Sequence, residues 1–233
     1  MDLKVTFISD THCKHNRMPV LPGGDILIFS GDAMSSGYYP AELDGFLEWI
    51  QKQDYRYKVC IAGNHDRYCE TLPSYMTKDV FERYYEQGVR YLHNECIDIE
   101  GLKIYGTPYQ PYFCNWAFNI SDSEELYNIY KLIPKDIDIL ITHTPPFDIL
   151  DKSHLSRPQF GMTGEEPLGS KELKQVLDEL GEHAPRYHAF GHIHGDGGKT
   201  VVTDRTIYIN GSVCDEAYKP ANEPITLDIE VKA

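Results

Sequence analysis

Positive charge is scarce in this sequence. Its 233 residues hold 22 Lys and Arg against 36 Asp and Glu, a formal charge of −14. Binding along a phosphate backbone draws on clustered cations that release counterions, so long nucleic acid is not an expected partner. No apolar run approaches the ~20 residues of a membrane-spanning helix, and no membrane partner is expected. The opening Met1-Asp2-Leu3-Lys4 has neither a basic n-region nor a long apolar stretch, so the reading is a cytoplasmic protein without a secretory signal. The six cysteines (Cys13, Cys60, Cys69, Cys96, Cys114 and Cys214) form no CxxC pair. That excludes a Cys-rich zinc site and disfavours a disulfide framework, leaving free thiols. No sequence repeat and no Ser/Gly-rich linker divides the chain, so residues 1–233 are expected to form one domain.

What the chain does contain is ordinary globular material, 41% apolar and 25% charged, which disfavours disorder and low complexity. Short apolar runs read as buried strands: Lys4 to Ser9, Asp25 to Ser30, Tyr57 to Ala62, Asp138 to Thr142 and Tyr187 to Phe190. Helices are expected over Glu42 to Gln51, Lys78 to Gln87, Ser121 or Asp122 to about Leu132, and Ser170 to Leu180. Glu100-Gly101 and Asp204-Arg205 read as hairpin turns, and Ile225 to Val231 as a closing strand.

The strands share a feature. One after another they end in Asp, His or Asn, and in α/β sheets ligands gather where the carboxyl ends of strands meet. Five segments fit: Asp10-x-His12, Gly31-Asp32, Gly63-Asn64-His65-Asp66, His143 and Gly191-His192-x-His194. They supply carboxylate, imidazole and amide donors with no thiolate, a set suited to Mn²⁺, Fe²⁺ or Zn²⁺. Alternate residues of an extended segment point the same way, so Asp10 with His12, and His192 with His194, are expected to offer paired ligands from extended backbone. The flanking glycines are expected to let the chain turn tightly.

These five motifs, in this order, resemble the calcineurin-like metallophosphoesterase superfamily: DxH, GD, GNH[D/E], His, GHxH. The likeness runs from position 10 to 194. A nearer similarity is to the small metallophosphoesterase-domain-containing proteins and the class III cyclic-nucleotide phosphodiesterases. It is carried by Ile104-Tyr105-Gly106-Thr107-Pro108, the aromatic stretch Tyr109 to Asn119, Thr142-His143-Thr144-Pro145-Pro146 and Tyr208-Ile209-Asn210-Gly211-Ser212. The resemblance implies an α/β fold in which two mixed β-sheets pack face to face with helices outside (αββα). It implies two divalent ions, Mn²⁺, Fe²⁺, Zn²⁺ or a mixed pair. Asp10, His12, Asp32 and His194 would hold the first, and Asp32, Asn64, His143 and His192 the second, with Asp32 bridging. The implied reaction is in-line attack of a bridging hydroxide on phosphorus.

His65 is left over from the ligand set and is assigned to the leaving oxygen, with a structural role behind the ligands as the alternative; Asp66 is expected either to orient His65 or to bond local backbone. The other histidines, His15, His93, His154, His183 and His188, read as surface or core residues. Tyr109, Tyr112, Phe113 and Trp116 suit stacking of a nucleobase, or equally a packed loop or a contact in a homo-oligomer. Arg157, in the loop from Lys152 to Glu166, is a candidate partner for a phosphate, as Asn64 and Trp116 are for the rest of the substrate. With no large insertion between motifs, the site is expected to be open. The expected partner is a small phosphorylated molecule, a nucleotide first of all. A phosphodiesterase leads. A phosphomonoesterase on nucleotides or phosphoproteins, and a nucleotide-binding regulator with little turnover, are the alternatives.

Overall fold

The computed structural model describes residues 2–156, 163–164 and 166–231. Its strands are β1 (Asp2–Ile8), β2 (Gly24–Phe29), β3 (Tyr55–Cys60), β4 (Val89–Tyr91), β5 (Glu95–Ile99), β6 (Leu102–Thr107), β7 (Gln110–Pro111), β8 (Asn119–Ile120), β9 (Ile139–Thr142), β10 (Tyr187–Phe190), β11 (Lys199–Val202), β12 (Ile207–Asn210) and β13 (Ile225–Glu230). The helices are α1 (Pro40–Ile50), α2 (Arg67–Thr71), α3 (Ser74–Glu82), α4 (Ser123–Tyr130) and α5 (Lys171–Leu180). Among the described residues one sheet has the order β13-β1-β2-β3-β4 and a second β11-β12-β10-β9-β6-β5; β7 and β8 pair separately. Antiparallel partners sit at the edges: β13 on β1, β11 on β12, β5 on β6. The interior strands run parallel.

The continuous apolar runs follow from burial on both strand faces, the rule for parallel strands covered by helices. Successive side chains of a strand point to opposite faces. In β2, Ile26 and Ile28 join Val5, Phe7 and Val59 against Ile104, Ile139, Ile141 and Ile209 of the second sheet. Leu27 and Phe29 point the other way, into Leu43, Phe46, Leu47 and Ile50 of α1. On the far side of the second sheet, Leu140 and Phe190 pack against Leu126 and Tyr130 of α4 and Leu173, Val176 and Leu177 of α5. The expected four-layer order, helix–sheet–sheet–helix, is therefore the observed one.

Local chemistry sets several ends. Asp122 caps α4 by accepting from Glu125 N–H, and Ser170 caps α5 by accepting from Leu173 N–H. Glu100 and Gly101 both take positive φ, +54° and +89°, as a two-residue hairpin turn demands. The helix expected over Lys78 to Gln87 is shifted: α3 starts at Ser74 behind Pro73, ends at Glu82, and a separate 3-10 turn covers Tyr85–Gln87.

The two sheets are stitched together at one end. Ser9, just past β1, donates its N–H to Gly211 O at 2.7 Å, and Val213 N–H donates to Ser9 O at 3.0 Å. The carboxyl ends of β1, β2, β3, β9 and β10 open at this seam.

Candidate metal centre

Asp10 and His12 follow β1, Asp32 follows β2, Asn64 to Asp66 follow β3, His143 follows β9, and His192 and His194 follow β10. The structure brings all seven sequence-predicted ligands together. Asp10, His12 and His194 form one group, and Asp32, His143 and His192 a second. Within each, one donor atom per residue lies within 4.8 Å of the others. Asn64 joins the second group, its Oδ1 2.9 Å from His143 Nε2 and 2.7 Å from His192 Nδ1. Asp32 lies between the groups. Its Oδ2 is 3.7 Å from His12 Nε2 and 3.4 Å from His143 Nε2, while its Oδ1 accepts the His65 N–H at 2.7 Å.

The way these residues converge corrects one expectation. Asp10, His12, Asp32 and His192 are not extended; all four have positive φ, between +42° and +65°. Left-handed backbone at non-glycine residues costs of order 1–3 kcal/mol each and persists where the surroundings over-determine it. Here the inter-sheet core does so, because each fully buried Ile or Leu contributes about 1.5–3 kcal/mol. The glycines also differ in role. Gly31 turns the chain at φ +99°, whereas Gly63 and Gly191 are required by crowding: a Cβ would lie 2.3 Å from Asp32 Oδ1 in the first and 2.0 Å from Asp10 Oδ2 in the second.

Hydrogen bonds fix the imidazoles from behind. Nδ1 of His12 donates to Met34 O at 3.2 Å, Nδ1 of His143 to Ser30 O at 2.8 Å, and Nδ1 of His194 to Asp215 O at 2.9 Å. A neutral ring with its proton on Nδ1 presents a bare lone pair at Nε2. Those lone pairs face each other and the carboxylates, with His12 Nε2 3.3 Å from His194 Nε2 and the latter 3.3 Å from Asp10 Oδ1. Acceptors crowded this closely repel one another unless positive charge lies among them, as a proton on an imidazole facing a carboxylate or as a metal ion. Nitrogen and oxygen donors backed by carbonyls are what a divalent ion requires, so the residues fit the metals their motifs imply.

The electrostatics agree. Burial alone would raise the Asp10 and Asp32 carboxyls, yet His194 beside Asp10 and His143 beside Asp32 hold both below the usual carboxylate range. Burial pushes the His12 and His192 imidazoles down to about 3. His143 goes the other way: burial opposes its charge, but Asp32, Asp10 and the Ser30 carbonyl carry it up to about 9. The two carboxylates draw positive charge into this buried volume.

Of its two expected roles, Asp66 takes that of bonding local backbone rather than orienting His65. Asp66 is buried, and its carboxylate accepts N–H groups from Gly63 at 2.7 Å, Asp32 at 2.9 Å and Met34 at 2.9 Å. It braces the Asp32 turn and makes no bond to His65. Burial and the nearby Asp32 charge push its carboxyl up to about 7, against the pull of these donors. His65 is oriented instead by Ser35, whose carbonyl accepts from Nδ1 at 2.6 Å. Trp116 stacks on the imidazole, with centroids 4.0 Å apart at 28°.

A cleft of about 390 Å³ lies over the centre, lined by Asp32, Asn64, His65, Trp116, His192 and His194 among others. Tyr112, Phe113 and Tyr218 line it too and are solvent-exposed, so the site is open as expected. Tyr109 is not in the wall; it packs inward and bonds His93. Arg157 lies outside the described residues. Among the described residues the extra histidines join none of the groups able to hold a metal: His15 packs on Trp49, His188 bonds Thr142, His154 and His183 pair with carboxylates. Sequence reasoning missed Tyr218, whose ring is 4.8 Å from that of His12 and 5.2 Å from that of His194. It also missed Ser212, which donates to Asp10 Oδ2, and the carbonyls of Met34, Ser35 and Asp215. A backbone carbonyl leaves no mark on a sequence.

The sequence matches the calcineurin-like phosphoesterase family over residues 3–196. The chain belongs to that family. It is 34% identical over 242 aligned positions to human metallophosphoesterase domain-containing protein 1, an alignment covering 95% of this chain and 69% of that protein. Two solved structures share the fold. The protein TT1561 of Thermus thermophilus superposes with a TM-score of 0.61 at 14% identity, covering 98% of this chain and 99% of that one. A phosphopantetheinyl hydrolase from Mycobacterium tuberculosis gives 0.54 at 15% identity, covering 96% and 95%. This calcineurin-like phosphoesterase is thus a metal-dependent phosphoric ester hydrolase. No helix among its described residues is long and apolar enough to cross a membrane.

Proposed function

We propose that this phosphoesterase is a phosphodiesterase for small substrates, with cyclic nucleotides the leading class. One observation carries the reading. The described wall of the cleft presents Tyr112, Phe113, Trp116 and Tyr218 together with Glu216, and no Lys or Arg. A phosphomonoester near neutral pH carries about 1.5–2 negative charges, a diester one. Aromatic walls and an added carboxylate, with no Lys or Arg among the described lining residues, favour the singly charged ester. Its rings suit a flat organic substituent, since base stacking contributes about 1–3 kcal/mol.

In this reading Asp10, His12, Asp32 and His194 hold one divalent ion and Asp32, Asn64, His143 and His192 the other, each Mn²⁺, Fe²⁺ or Zn²⁺. Such a pair offsets phosphoryl charge and makes water available as a nucleophile near pH 7. His65 serves the leaving oxygen. With Nδ1–H given to Ser35, its Nε2 is the atom that faces the cleft, and it donates when the ring carries its second proton. Trp116 keeps the ring in that pose. Asp66 acts through the turn it braces.

The test is a metal-by-substrate panel: bis-(p-nitrophenyl) phosphate, p-nitrophenyl phosphate, and 2′,3′- and 3′,5′-cyclic nucleotides, each with and without Mn²⁺. The expected result is metal-stimulated hydrolysis, with kcat/KM for diesters at least about tenfold above monoesters, some 1.4 kcal/mol in barrier. A preference for monoesters refutes the diesterase reading. No turnover together with tight AMP binding refutes it in favour of a regulator.

A further inference from the structure

The segment from Met34 to Gly37 makes an unusual set of bonds. Two of its successive carbonyls hold two histidines of the site: Met34 O accepts from His12 Nδ1 at 3.2 Å, and Ser35 O accepts from His65 Nδ1 at 2.6 Å. Its N–H groups go to carboxylates. Met34 N–H donates to Asp66 at 2.9 Å, and the next three donate to one oxygen of Glu42, at 2.9 Å from Ser35, 3.1 Å from Ser36 and 3.2 Å from Gly37. Ser36 Oγ donates to the other Glu42 oxygen at 2.7 Å. Glu42 lies in the first turn of α1.

The pairing runs through the peptide planes. The Ser35 N–H held by Glu42 belongs to the same peptide unit as the Met34 carbonyl that holds His12. The Ser36 N–H belongs to the same unit as the Ser35 carbonyl that holds His65. Each plane therefore has the carboxylate on one side and an imidazole on the other, and hydrogen bonds in such chains polarise one another.

We infer that Glu42 is a positioning residue of the active centre, fixing the tautomer and direction of His12 and His65 through two consecutive peptide planes. The inference rests on the reading of His12 as a metal ligand and His65 as the leaving-group residue. It explains why one carboxylate gathers three successive N–H groups of a surface loop, since the gathering places two carbonyls behind two imidazoles. Partners of this kind behind a ligating histidine typically contribute 10–100-fold in metal affinity.

Glu42→Ala and the conservative Glu42→Gln are compared with Glu48→Ala, an exposed position on the same helix. Mn²⁺ affinity is measured by chelator competition. The tautomers of His12 and His65 are read in metal-free, ¹⁵N-histidine-labelled protein. Glu42→Ala is expected to bind Mn²⁺ about tenfold or more weakly and to lose the Nδ1–H preference at both rings. Glu42→Gln, which keeps one acceptor oxygen, should recover part of each, and Glu48→Ala should match the parent. Parental affinity and intact tautomers in Glu42→Ala overturn the inference. So does loss of affinity with both tautomers unchanged. If Glu42→Ala does not fold, the same readouts on Glu42→Gln decide: a parental result at both overturns it. Neither readout depends on diester turnover, so a failure of the diesterase reading shows separately, in the substrate panel of the parent.

Discussion

His188 makes the stability of this fold sensitive to acid, and the tautomer tells how. Thr142 has one hydroxyl proton, which it donates to Thr144 O at 2.7 Å. At 2.9 Å from His188 Nε2, its oxygen can then only accept, so the ring proton is on Nε2. Nδ1 is buried with no hydrogen-bond partner among the described residues, and the ring sits between Phe190 and Tyr208. A second proton would put an unpaired charge in the core, and burial pushes the imidazole from 6.5 down to about 3. The unfolded chain takes up that proton as pH falls through 6.5, the folded chain only near 3. Between those values the unfolded state binds more protons, so stability falls as pH falls. At pH 5 the loss from this one residue is about 2 kcal/mol. His188→Gln keeps the N–H donor to Thr142 and does not titrate. Urea unfolding of both proteins without metal, at pH 7.5 and pH 5, should show the parent losing about 2 kcal/mol more than the variant. Equal losses would refute the buried neutral ring.

At the centre, Asp32→Ala removes the carboxylate shared by both groups and should abolish turnover and lower the number of bound ions, read by elemental analysis. Gly191→Ala places a methyl group 2.0 Å from Asp10 Oδ2; overpacking costs about 1–3 kcal/mol, and bound metal should fall even where the fold survives, whereas full metal content would show that Asp10 has room to move. His65→Ala should keep both ions yet slow substrates with poor leaving groups far more than nitrophenyl esters, and a uniform loss across a leaving-group series would remove His65 from that role. Trp116→Ala, by freeing the His65 ring, should reproduce part of that selective loss and raise KM for aromatic diesters.

The centre is legible in the sequence because its chemistry is carried by side chains at strand ends. Asp10, His12, Asp32, Asn64, His143, His192 and His194 declare themselves by type, and the apolar runs before them declare where they meet. What stays hidden depends on backbone. The left-handed conformations of Asp10, His12, Asp32 and His192 answer to packing between two sheets, which no local pattern encodes. The orienting groups behind the histidines are carbonyls of Met34, Ser30, Ser35 and Asp215, available in any residue. Asp66 stays ambiguous in the sequence, because its neighbour His65 and the local backbone are equal candidates; the chain turns it toward three N–H groups. Among the elements, β4 is three residues long and β7 and β8 two each, too short for a period to register.

The seam at Ser9 and Gly211 has a consequence for biosynthesis. Asp10 meets His194, 184 positions later, and the seam beneath them needs residues beyond 210. At about 5–20 residues per second, the first ligand leaves the ribosome roughly 10–40 s before its partner exists. The Asp10 carboxylate therefore waits through most of the synthesis of these residues for its histidine, and the centre closes only once the second sheet has docked on the first.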